Sequence, residues 1–508
     1  MRSSQLLVGF LCLSAGMLFS PAQSETNSVR ALSLDEAIKL ALAHNLAIQI
    51  ERYSPQIAQF NLEGAYAHYD PILKIGGEET FQRVPGSYNP RFNVMAPPSE
   101  LRGEGVRMGI TGFAPTGLKY ELFGDFARTN RSFPQTSGGR LLVFPTLDQY
   151  RTETGIELTQ PLLRNFWTDS QRTQIKVNKV QLKISKLALE SLIMEIVRKV
   201  QQIYYDLAVA RENLKVQEKA LELAQRLLDD NKERLKLGVV AELDEKQAES
   251  QLAGARTELI SVQNQRTLLE DALKNVISDE YNRWHDVTIE PSDRLFAMPA
   301  SFNLTESWET GLKRRPDFNQ FKQELEKQNI ILKFRHNQLF PSLDLVGTLA
   351  WSGLDTNVNG SLDQVGRGDN PRWGGGAVLS FPFTFRAERS SYNVAKAAQK
   401  QAVLRLKQLE QEVVVQINDA VKTAQRNYER VQSVRQSREF AEAALEVEQQ
   451  KLQSGKSTTF VVLELQTKLT RARSGEIQAL ADYNKSLAEL YFREGTTLER
   501  NRIVIEGK

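Results

Sequence analysis

Cysteine is almost absent from this chain of 508 residues. The one cysteine, Cys12, lies in an N-terminal segment, 1–22, that has the parts of a secretory signal: Arg2 is basic, an apolar core runs from Leu6 to Phe19, and small residues precede the cleavage site. The residues before Cys12 do not fit a lipid-attachment site. We therefore expect an exported chain whose mature form has no disulfides and no thiol chemistry.

Long apolar runs are also missing. Beyond the signal segment the sequence has no run of about 20 apolar residues, which is what a transmembrane helix needs. An exported chain without such a helix is periplasmic, secreted, or inserted in an outer membrane as β-strands.

Motifs for catalysis and for cofactors are lacking as well. The four histidines, His44, His68, His285 and His336, show no metal-ligand spacing, and the sequence has no nucleophile motif and no phosphate-binding loop. The net charge is only +3, and Lys and Arg alternate with Glu and Asp along the helical segments, which is typical of solvated helix faces. We expect no enzymatic activity and no metal, cofactor or nucleic-acid site.

Proline and glycine are absent from Ser170 to Leu237. Apolar residues recur every seven positions there, and a second row follows three residues later. This a/d seam predicts a long helix packed side by side with others, about 100 Å long at a rise of about 1.5 Å per residue. Gly238 interrupts the pattern, which resumes at Leu243, so we predict a helical hairpin over 165–280. The first row of the seam consists of Ile193, Val200, Leu207, Leu214, Leu221, Leu228 and Leu235.

The same plan occurs twice. Ser33 starts a capping-box sequence that opens a helix, and Asn303 starts the matching sequence 270 residues later. At the hairpin tips the offset is 217, so that Gly238 corresponds to Gly455. We therefore predict two tandem repeats, 23–302 and 303–508. The predicted parts are helix 33–69, strand region 70–161, helical hairpin 165–280 and linker 281–302 in the first repeat, and helix 303–340, strands 341–385, helical hairpin 386–494 and tail 495–508 in the second.

Segments with a two-residue period lie between the helices. In Tyr150–Leu158, Ser342–Trp351 and Trp373–Phe385 apolar residues alternate with polar or small ones, and Ile72–Phe81 shows the pattern more weakly. About ten residues per strand with one apolar face is typical of a transmembrane β-barrel, and a soluble sheet with one wet face is the alternative. The export signal and glycine-rich loops such as 357–376 favour the membrane. In the linker and tail, Val287–Ile289 and Ile503–Ile505 are candidates for short strands in a small mixed patch.

The order of these parts resembles that of the TolC-like outer-membrane efflux protein family. The resemblance spans nearly the whole mature chain; each motif is loose, whereas the order and spacing are specific. The motifs are Ser33-Leu34-Asp35-Glu36-Ala37, Thr159-Gln160-Pro161-Leu162-Leu163, Arg315-Pro316-Asp317, Phe340-Pro341-Ser342-Leu343 and the glycine tips of the long helices.

This resemblance implies an α+β membrane protein. Its subunits form a homotrimer, each lending four strands to one twelve-stranded barrel in outer-membrane lipid, and their helices continue as a periplasmic α-helical barrel. The implied function is an exit duct of a tripartite efflux or type I secretion system in the outer membrane of a Gram-negative bacterium. A periplasmic adaptor would dock on the helix tips and connect the duct to an inner-membrane pump.

The resemblance also implies functional positions at the tips. The family often has an acidic residue six positions after the tip glycine, at the tunnel constriction. That position is Asp244 in the first hairpin and Val461 in the second, where Glu464 matches a further acidic position of the family. We expect Asp244 and Glu464 to form a narrow acidic ring that favours cations, and ordinary solvated carboxylates are the alternative. The expected adaptor contacts are Leu237, Gly238, Val239, Ser454, Gly455 and Lys456.

The first half of the chain is 53 residues longer than the second, and most of the excess lies between Pro71 and Pro161. Two further alternating runs, joined by the turn sequence Ala114–Gly117, predict an extra β-hairpin over 104–128. This hairpin either joins the barrel wall, which would make six strands per subunit, or projects as an extracellular flap. A tunnel of twelve helices below the barrel favours the flap.

A periplasmic adaptor, or a structural coiled-coil protein of an export assembly, is the alternative function, because such proteins also use long helical hairpins. Adaptors normally carry one hairpin and need no lipid-facing strands. The two hairpins of this sequence, with strands between them, argue for the channel.

Overall fold

The computed structural model describes residues 28–86, 88–90, 93–95, 98–131, 134–137, 140–143, 147–237, 241–299, 302–454 and 456–504. The predicted signal peptide, 1–22, lies outside them. The helices are α1 (Leu34–His44), α2 (Leu46–Glu51), α3 (Tyr53–Tyr66), α4 (Ser170–Lys236), α5 (Glu242–Ile277), α6 (Leu304–Arg314), α7 (Pro316–Asn337), α8 (Val358–Gly366), α9 (Arg386–Gln453), α10 (Thr459–Glu494) and α11 (Thr497–Arg500). The strands are β1 (Ser28–Leu32), β2 (Ile72–Val84), β3 (Tyr88–Asn89), β4 (Val94–Met95), β5 (Ser99–Phe113), β6 (Lys119–Arg131), β7 (Pro134–Ser137), β8 (Arg140–Val143), β9 (Leu147–Pro161), β10 (Val287–Pro291), β11 (Ser342–Asp355) and β12 (Pro371–Ser380).

The chain forms two compact units. Among the described residues, the tip unit contains those up to Asn45 and those within Val200–Phe296 and Val431–Ala481. The sheet unit contains those within Leu46–Lys199 and Ala297–Arg430 and those from Asp482 onward. The tip unit holds the ends of both helical hairpins, and the sheet unit holds the large β-sheet.

Both predicted helical hairpins are present. In the first half, α4 has 67 residues and α5 has 36. In the second half, α9 has 68 residues and α10 has 36. Helices of nearly equal length in the two halves are what a duplicated chain should form.

The heptad seam is the buried face of these helices. In α4 the first row includes Ile193, Val200, Leu207 and Leu228, all of which are buried. In α9 the corresponding register buries Ile417, Ala424, Val431 and Leu445. The seven-residue period therefore identifies the packed face, as expected for helices packed side by side.

The helices predicted over 33–69 and 303–340 are each broken, which corrects the sequence interpretation. The first is divided into α1, α2 and α3. The break between α1 and α2 lies at Asn45, which adopts an extended backbone with ψ 119° and whose side chain donates to the carbonyl of Val276 at 2.9 Å. The second stops at Arg315, whose ψ of 122° is the extended conformation that a following proline, here Pro316, imposes. Both N-caps are as predicted, with Ser33 and Asn303 accepting from backbone N–H groups.

Six antiparallel strands form the large sheet, in the order β12-β11-β9-β6-β5-β2. The extra hairpin predicted over 104–128 is β5 and β6, and it lies between β2 and β9 as part of this sheet. The preference for a projecting flap is therefore wrong. Both strands are as long as their neighbours and are paired along their full length, so the backbone groups of the hairpin are satisfied within the sheet.

The linker and tail differ from the sequence prediction. Strand β10 is parallel to β1 near the start of the chain, and Ile503 and Val504 are not in a strand, while Ile505 lies outside the described residues. The loop predicted over 357–376 contains the helix α8, whose N-cap Asn357 accepts from the N–H of Gly360 at 2.8 Å. Strand β12 ends at Ser380 and does not reach Phe385. Two short antiparallel pairs, β3–β4 and β7–β8, complete the described strands.

Candidate functional site: the sheet faces and the hairpin tips

One face of the six-stranded sheet carries an unbroken apolar row. The residues of this row are directly opposite one another from edge to edge: Leu73, Ile110, Leu122, Ile156, Leu349 and Trp373. Ile156 is half-buried and the other five are exposed, Trp373 at 81%. A continuous exposed row of this kind is unusual on a water-soluble surface and typical of a surface that contacts another apolar phase.

Neighbouring rows extend this apolar face. On one side Ile75 lies opposite Met108, and on the other Tyr120 lies opposite Leu158. The extra hairpin contributes Val106, Met108, Ile110, Tyr120, Leu122 and Phe126 to the same face. The apolar face therefore continues through the hairpin without interruption. Within the described residues, no helix is long and apolar enough to cross a membrane.

The opposite face of the sheet is charged. Arg107 of β5, Asp125 of β6 and Glu153 of β9 are cross-strand neighbours. Arg107 contacts the carboxylates of Glu121 at 3.2 Å and Asp125 at 3.4 Å. Glu153 pairs with Arg151 at 3.0 Å and also with Arg372 of β12. The other polar residues of this face include Lys74, Glu78, Lys119, Glu157 and Thr348.

Phe123, Glu153 and Ala350 of this polar face are buried, with Ala350 only 1% exposed. On the apolar face Thr152 is buried as well, and its hydroxyl lies 2.9 Å from that of Ser361 in α8. A sheet with one apolar face and one charged face has the polarity of a barrel wall between lipid and an aqueous lumen.

The hairpin turn lies at the end of the sheet where the helices begin. Ile72, the first residue of β2, is opposite Thr111, close to the end of β5. The carbonyl of Thr116 accepts from Gln160 at 3.3 Å. Gly117 has φ +86° and packs so closely on Asn165 and Arg172 that a Cβ there would lie 3.1 Å from the Arg172 guanidinium. The turn therefore packs against the segment that joins β9 to α4 and against the first turn of α4.

The sequence motif Arg315-Pro316-Asp317 forms an ion pair at the junction of α6 and α7. Arg315 donates through Nε and Nη2 to the two carboxylate oxygens of Asp317, at 3.0 and 2.6 Å. It also donates through Nη1 to Gln416 of α9, which in turn accepts from Arg493 of α10. Burial alone would raise the pKa of the Asp317 carboxyl, but the hydrogen bonds and charge of Arg315 hold it below the usual value. Through Gln416, this pair therefore links the junction of α6 and α7 to α9 and α10.

The tip of the first hairpin is described on both sides of its turn. Helix α4 ends at Lys236, Leu237 is 77% exposed, and Gly238 and Val239 lie outside the described residues. Asn231 is buried and donates to the backbone carbonyl of Asp244 at 3.2 Å. This contact joins α4 to α5 near the tip.

The tip of the second hairpin has a different arrangement. Ser454 and Lys456 are exposed, and Gly455 lies outside the described residues. Glu448 of α9 accepts from the hydroxyl of Ser457 at 2.6 Å and contacts Lys451 at 2.9 Å. These partners lower the pKa of the Glu448 carboxyl. The sequence interpretation missed Glu448, although its spacing of three residues from Lys451 is a recognisable helical ion pair.

The two predicted constriction residues each have a contact within the chain. Asp244 is half-buried in the first turn of α5, and its carboxylate accepts from the backbone N–H of Ala241 at 3.2 Å. Glu464 is exposed on α10 and pairs with Lys468, one turn further along, at 2.9 Å. Asp244 thus caps its helix whether or not it also faces a pore, and Glu464 carries a partly neutralised charge.

The histidines are separate from one another. His44 contacts Asp279 at 3.2 Å and His285 contacts Asp286 at 2.7 Å. His68 stacks on Phe113, and His336 packs on Tyr392. In the part of the chain that the structure describes, no group of three or more His, Cys, Asp or Glu side chains could hold a metal ion.

Comparison with protein families gives one match. Residues 145–278 and 309–496 match the family model described as outer membrane efflux protein, which is more than half of the chain. No curated protein sequence matches the chain.

Solved structures with the same fold cover nearly the whole chain. The CmeC outer membrane channel of Campylobacter jejuni is 16% identical, with a TM-score of 0.63 over 97% of this chain and 94% of CmeC. The outer membrane protein VceC of Vibrio cholerae is 16% identical, with a TM-score of 0.64 over 91% and 96%. The open-state MtrE outer membrane channel of Neisseria gonorrhoeae is 15% identical, with a TM-score of 0.61 over 92% and 89%.

Proposed function

Because the chain belongs to the outer membrane efflux protein family, we propose that it is the exit duct of a tripartite efflux or type I secretion system, a conduit and not a catalyst. The strands cross the outer membrane of a Gram-negative bacterium, and the long helices extend into the periplasm. Substrate enters from a periplasmic adaptor, supplied by an inner-membrane pump, and leaves through the barrel.

The observation that carries this proposal is the apolar row from Leu73 to Trp373. Its exposed side chains need an apolar phase, and the charged residues of the opposite face need water. A sheet between lipid and an aqueous lumen satisfies both needs. A soluble adaptor would leave the row in water.

A homotrimer is supported by the open edges of the sheet. Within the described residues, strands β2 and β12 each have one edge that pairs with no other strand. An unpaired edge cannot face lipid, because its N–H and C=O groups would lack hydrogen-bond partners. Copies of the chain provide the missing partners when they share one barrel. Three copies are what membership of the family implies.

The hairpin tips are the surface proposed for the adaptor. Exposed Leu237 at the first tip and exposed Ser454 and Lys456 at the second present one apolar and two polar side chains. Gly238, Val239 and Gly455 complete the set proposed from the sequence. Helical hairpins of an adaptor could pack against these ends by the same seam geometry that joins α4 to α5.

Asp244 and Glu464 are proposed to narrow the periplasmic entrance. Three copies of each would make two rings of carboxylates, and rings of this kind attract cations and slow anions. The capping contact of Asp244 supports the proposal because it holds the carboxylate at one position beside the turn. The pair with Lys468 makes the ring at Glu464 the weaker of the two.

Cell fractionation tests the proposed location and assembly. The protein should sediment with the outer membrane and migrate as an oligomer in a gel when unheated, but as a monomer after boiling. The same cells should yield an adaptor cross-linked to a photoreactive amino acid at Leu237, and no such product from a photoreactive residue at Trp373. Recovery in the soluble periplasmic fraction would contradict the proposal.

A further inference from the structure

We propose that the barrel of this protein has 18 strands, six from each of three subunits, and that it closes by pairing β12 of one copy with β2 of the next. This inference rests on the proposed function, because it takes the trimeric channel as given and specifies its wall. It departs from the twelve-stranded barrel expected from the sequence resemblance.

The first support is that the extra hairpin lies between β2 and β9. These two strands would be neighbours if each subunit contributed only four strands to the barrel wall. Strand β2 pairs with β5 over all of its 13 residues, and β6 pairs with β9 over all of its 13 residues. In a four-strand wall β2 would need the same edge of β9 that β6 occupies. A wall of four strands per subunit can therefore form only if the hairpin leaves the sheet, and the hydrogen bonds between β2 and β5 and between β6 and β9 are then lost.

The second support is the chemistry of the hairpin faces. Ile110 and Leu122 continue the apolar row between Leu73 and Ile156. On the opposite face Arg107 and Asp125 continue the charged row toward Glu153. A flap in extracellular water has no need for an apolar side in register with the membrane face of its neighbours, whereas a pair of wall strands requires one.

The third support is the direction of the edges. In an antiparallel sheet of six strands the first and last strands run in opposite directions, so β12 of one copy is antiparallel to β2 of the next. All 13 residues of β2 and all 10 residues of β12 are exposed in the single chain. Identical copies can therefore close a ring in which every strand is antiparallel to both neighbours.

The fourth support is the junction with the helices. Strands β2, β9, β11 and β12 each adjoin a helical segment, whereas β5 and β6 are joined by the turn 114–118. Three copies then have 18 strands above twelve helices, and the two extra strands of each copy end on the β9–α4 link. The contact of Gln160 with Thr116 and the packing of Gly117 on Asn165 seat the turn there.

A barrel of 18 strands is wider than a barrel of twelve. At a strand spacing of about 4.8 Å and a tilt of about 40°, twelve strands enclose a ring about 24 Å across between backbones and 18 strands a ring about 36 Å across. The barrel is therefore about one and a half times as wide with 18 strands as with twelve.

Electron cryo-microscopy of the purified full-length protein in lipid nanodiscs tests this inference. The expected density is a ring of 18 strands from three copies, with β5 and β6 in the wall. A twelve-stranded ring, either from three copies with the hairpin outside or from two copies, overturns the inference and leaves the channel intact. Absence of any ring overturns the proposed function itself.

Cysteine pairs test the same point in intact cells, since removal of the predicted signal peptide, 1–22, leaves no other thiol. Leu122→Cys with Ile156→Cys should form an intrachain disulfide, since these residues are directly opposite. Leu73→Cys with Ile156→Cys should not, because two strands separate them and about 14 Å is beyond the reach of a disulfide. A disulfide in the second pair and none in the first would overturn the inference.

Discussion

Ile110 of β5 lies directly opposite Leu122 of β6, and the two side chains form the middle of the apolar row. Both are exposed in the single chain. If this row contacts lipid, Ile110→Arg places a charge in the apolar part of the bilayer, where it costs up to about 2–4 kcal/mol, the value at the midplane. We expect this variant to assemble poorly, measured as loss of the heat-sensitive oligomer from the outer membrane.

The matched control for this variant is the next residue. Thr111 lies on the charged face, opposite Glu121, so Thr111→Arg adds the same side chain toward the aqueous lumen. We expect the control to assemble as the parent does. Equal assembly of both arginine variants would show that Ile110 does not face lipid.

The long helices could be predicted from sequence because their signal is local and repeated. Each turn of α4 and α9 contributes another apolar residue at the same phase, and neither helix contains proline. The breaks were harder to predict. Pro316 did provide a local signal that the helix ends at Arg315, whereas the break at Asn45 depends on its contact with Val276, more than 200 residues away.

The placement of the extra hairpin could not be predicted in the same way. Alternation at Met108 or Tyr120 shows that a segment is a strand with two different faces. It does not show which strand lies beside it, because pairing depends on residues distant in sequence. The same reason explains why the sequence suggests a patch of Val287–Ile289 with the tail, whereas the structure pairs β10 with β1. At the tips, the resemblance to the family points to Asp244, whereas its role as a helix cap is visible only in the structure.

The orientation of the chain in the membrane gives a second prediction. Gly366, at the exposed end of α8, should be extracellular, and Leu237, at the first tip, should be periplasmic. A membrane-impermeant thiol reagent should label Gly366→Cys in intact cells. It should label Leu237→Cys only after the outer membrane is permeabilised. If the reagent labels Leu237→Cys in intact cells and does not label Gly366→Cys, the chain has the opposite orientation in the membrane.

The charge of Asp244 can be separated from its capping role. Asp244→Asn keeps an oxygen acceptor for the N–H of Ala241 while it removes the negative charge. In planar bilayers this variant should show a weaker block by multivalent cations than the parent. Glu464→Gln should have a smaller effect, since Lys468 already offsets that charge. An exposed glutamate farther from the tip, changed in Glu258→Gln, is the control. If multivalent cations block Asp244→Asn as strongly as the parent, the constriction does not lie at Asp244.

The ion pair between Arg315 and Asp317 predicts a dependence of stability on pH. The pKa of Asp317 is lowered in the folded chain, so its contribution to the free energy of unfolding is complete above the unfolded-state pKa of about 3.9 and is lost as the pH falls through the folded value. At pH 7 Asp317→Asn should cost about 1–3 kcal/mol, near the lower end because the carboxyl is 39% exposed.

Thermal denaturation at two pH values measures this effect. The midpoint of Asp317→Asn should be lower than that of the parent at neutral pH, and the difference should shrink as the pH falls below about 4. The control is Glu309→Gln, an exposed residue of α6, which should match the parent at both pH values. A difference that stays constant from neutral to acid pH would mean that the carboxylate charge is not what stabilises this junction.

The most direct measurement of the central claim is the current through a planar lipid bilayer to which the purified full-length protein is added. An outer-membrane duct should give discrete conductance steps of uniform size that persist at steady voltage, and multivalent cations should reduce them from the side that the tips face. Protein that is folded and oligomeric yet leaves the bilayer without conductance, even when Asp244 and Glu464 are both neutralised, would contradict the account.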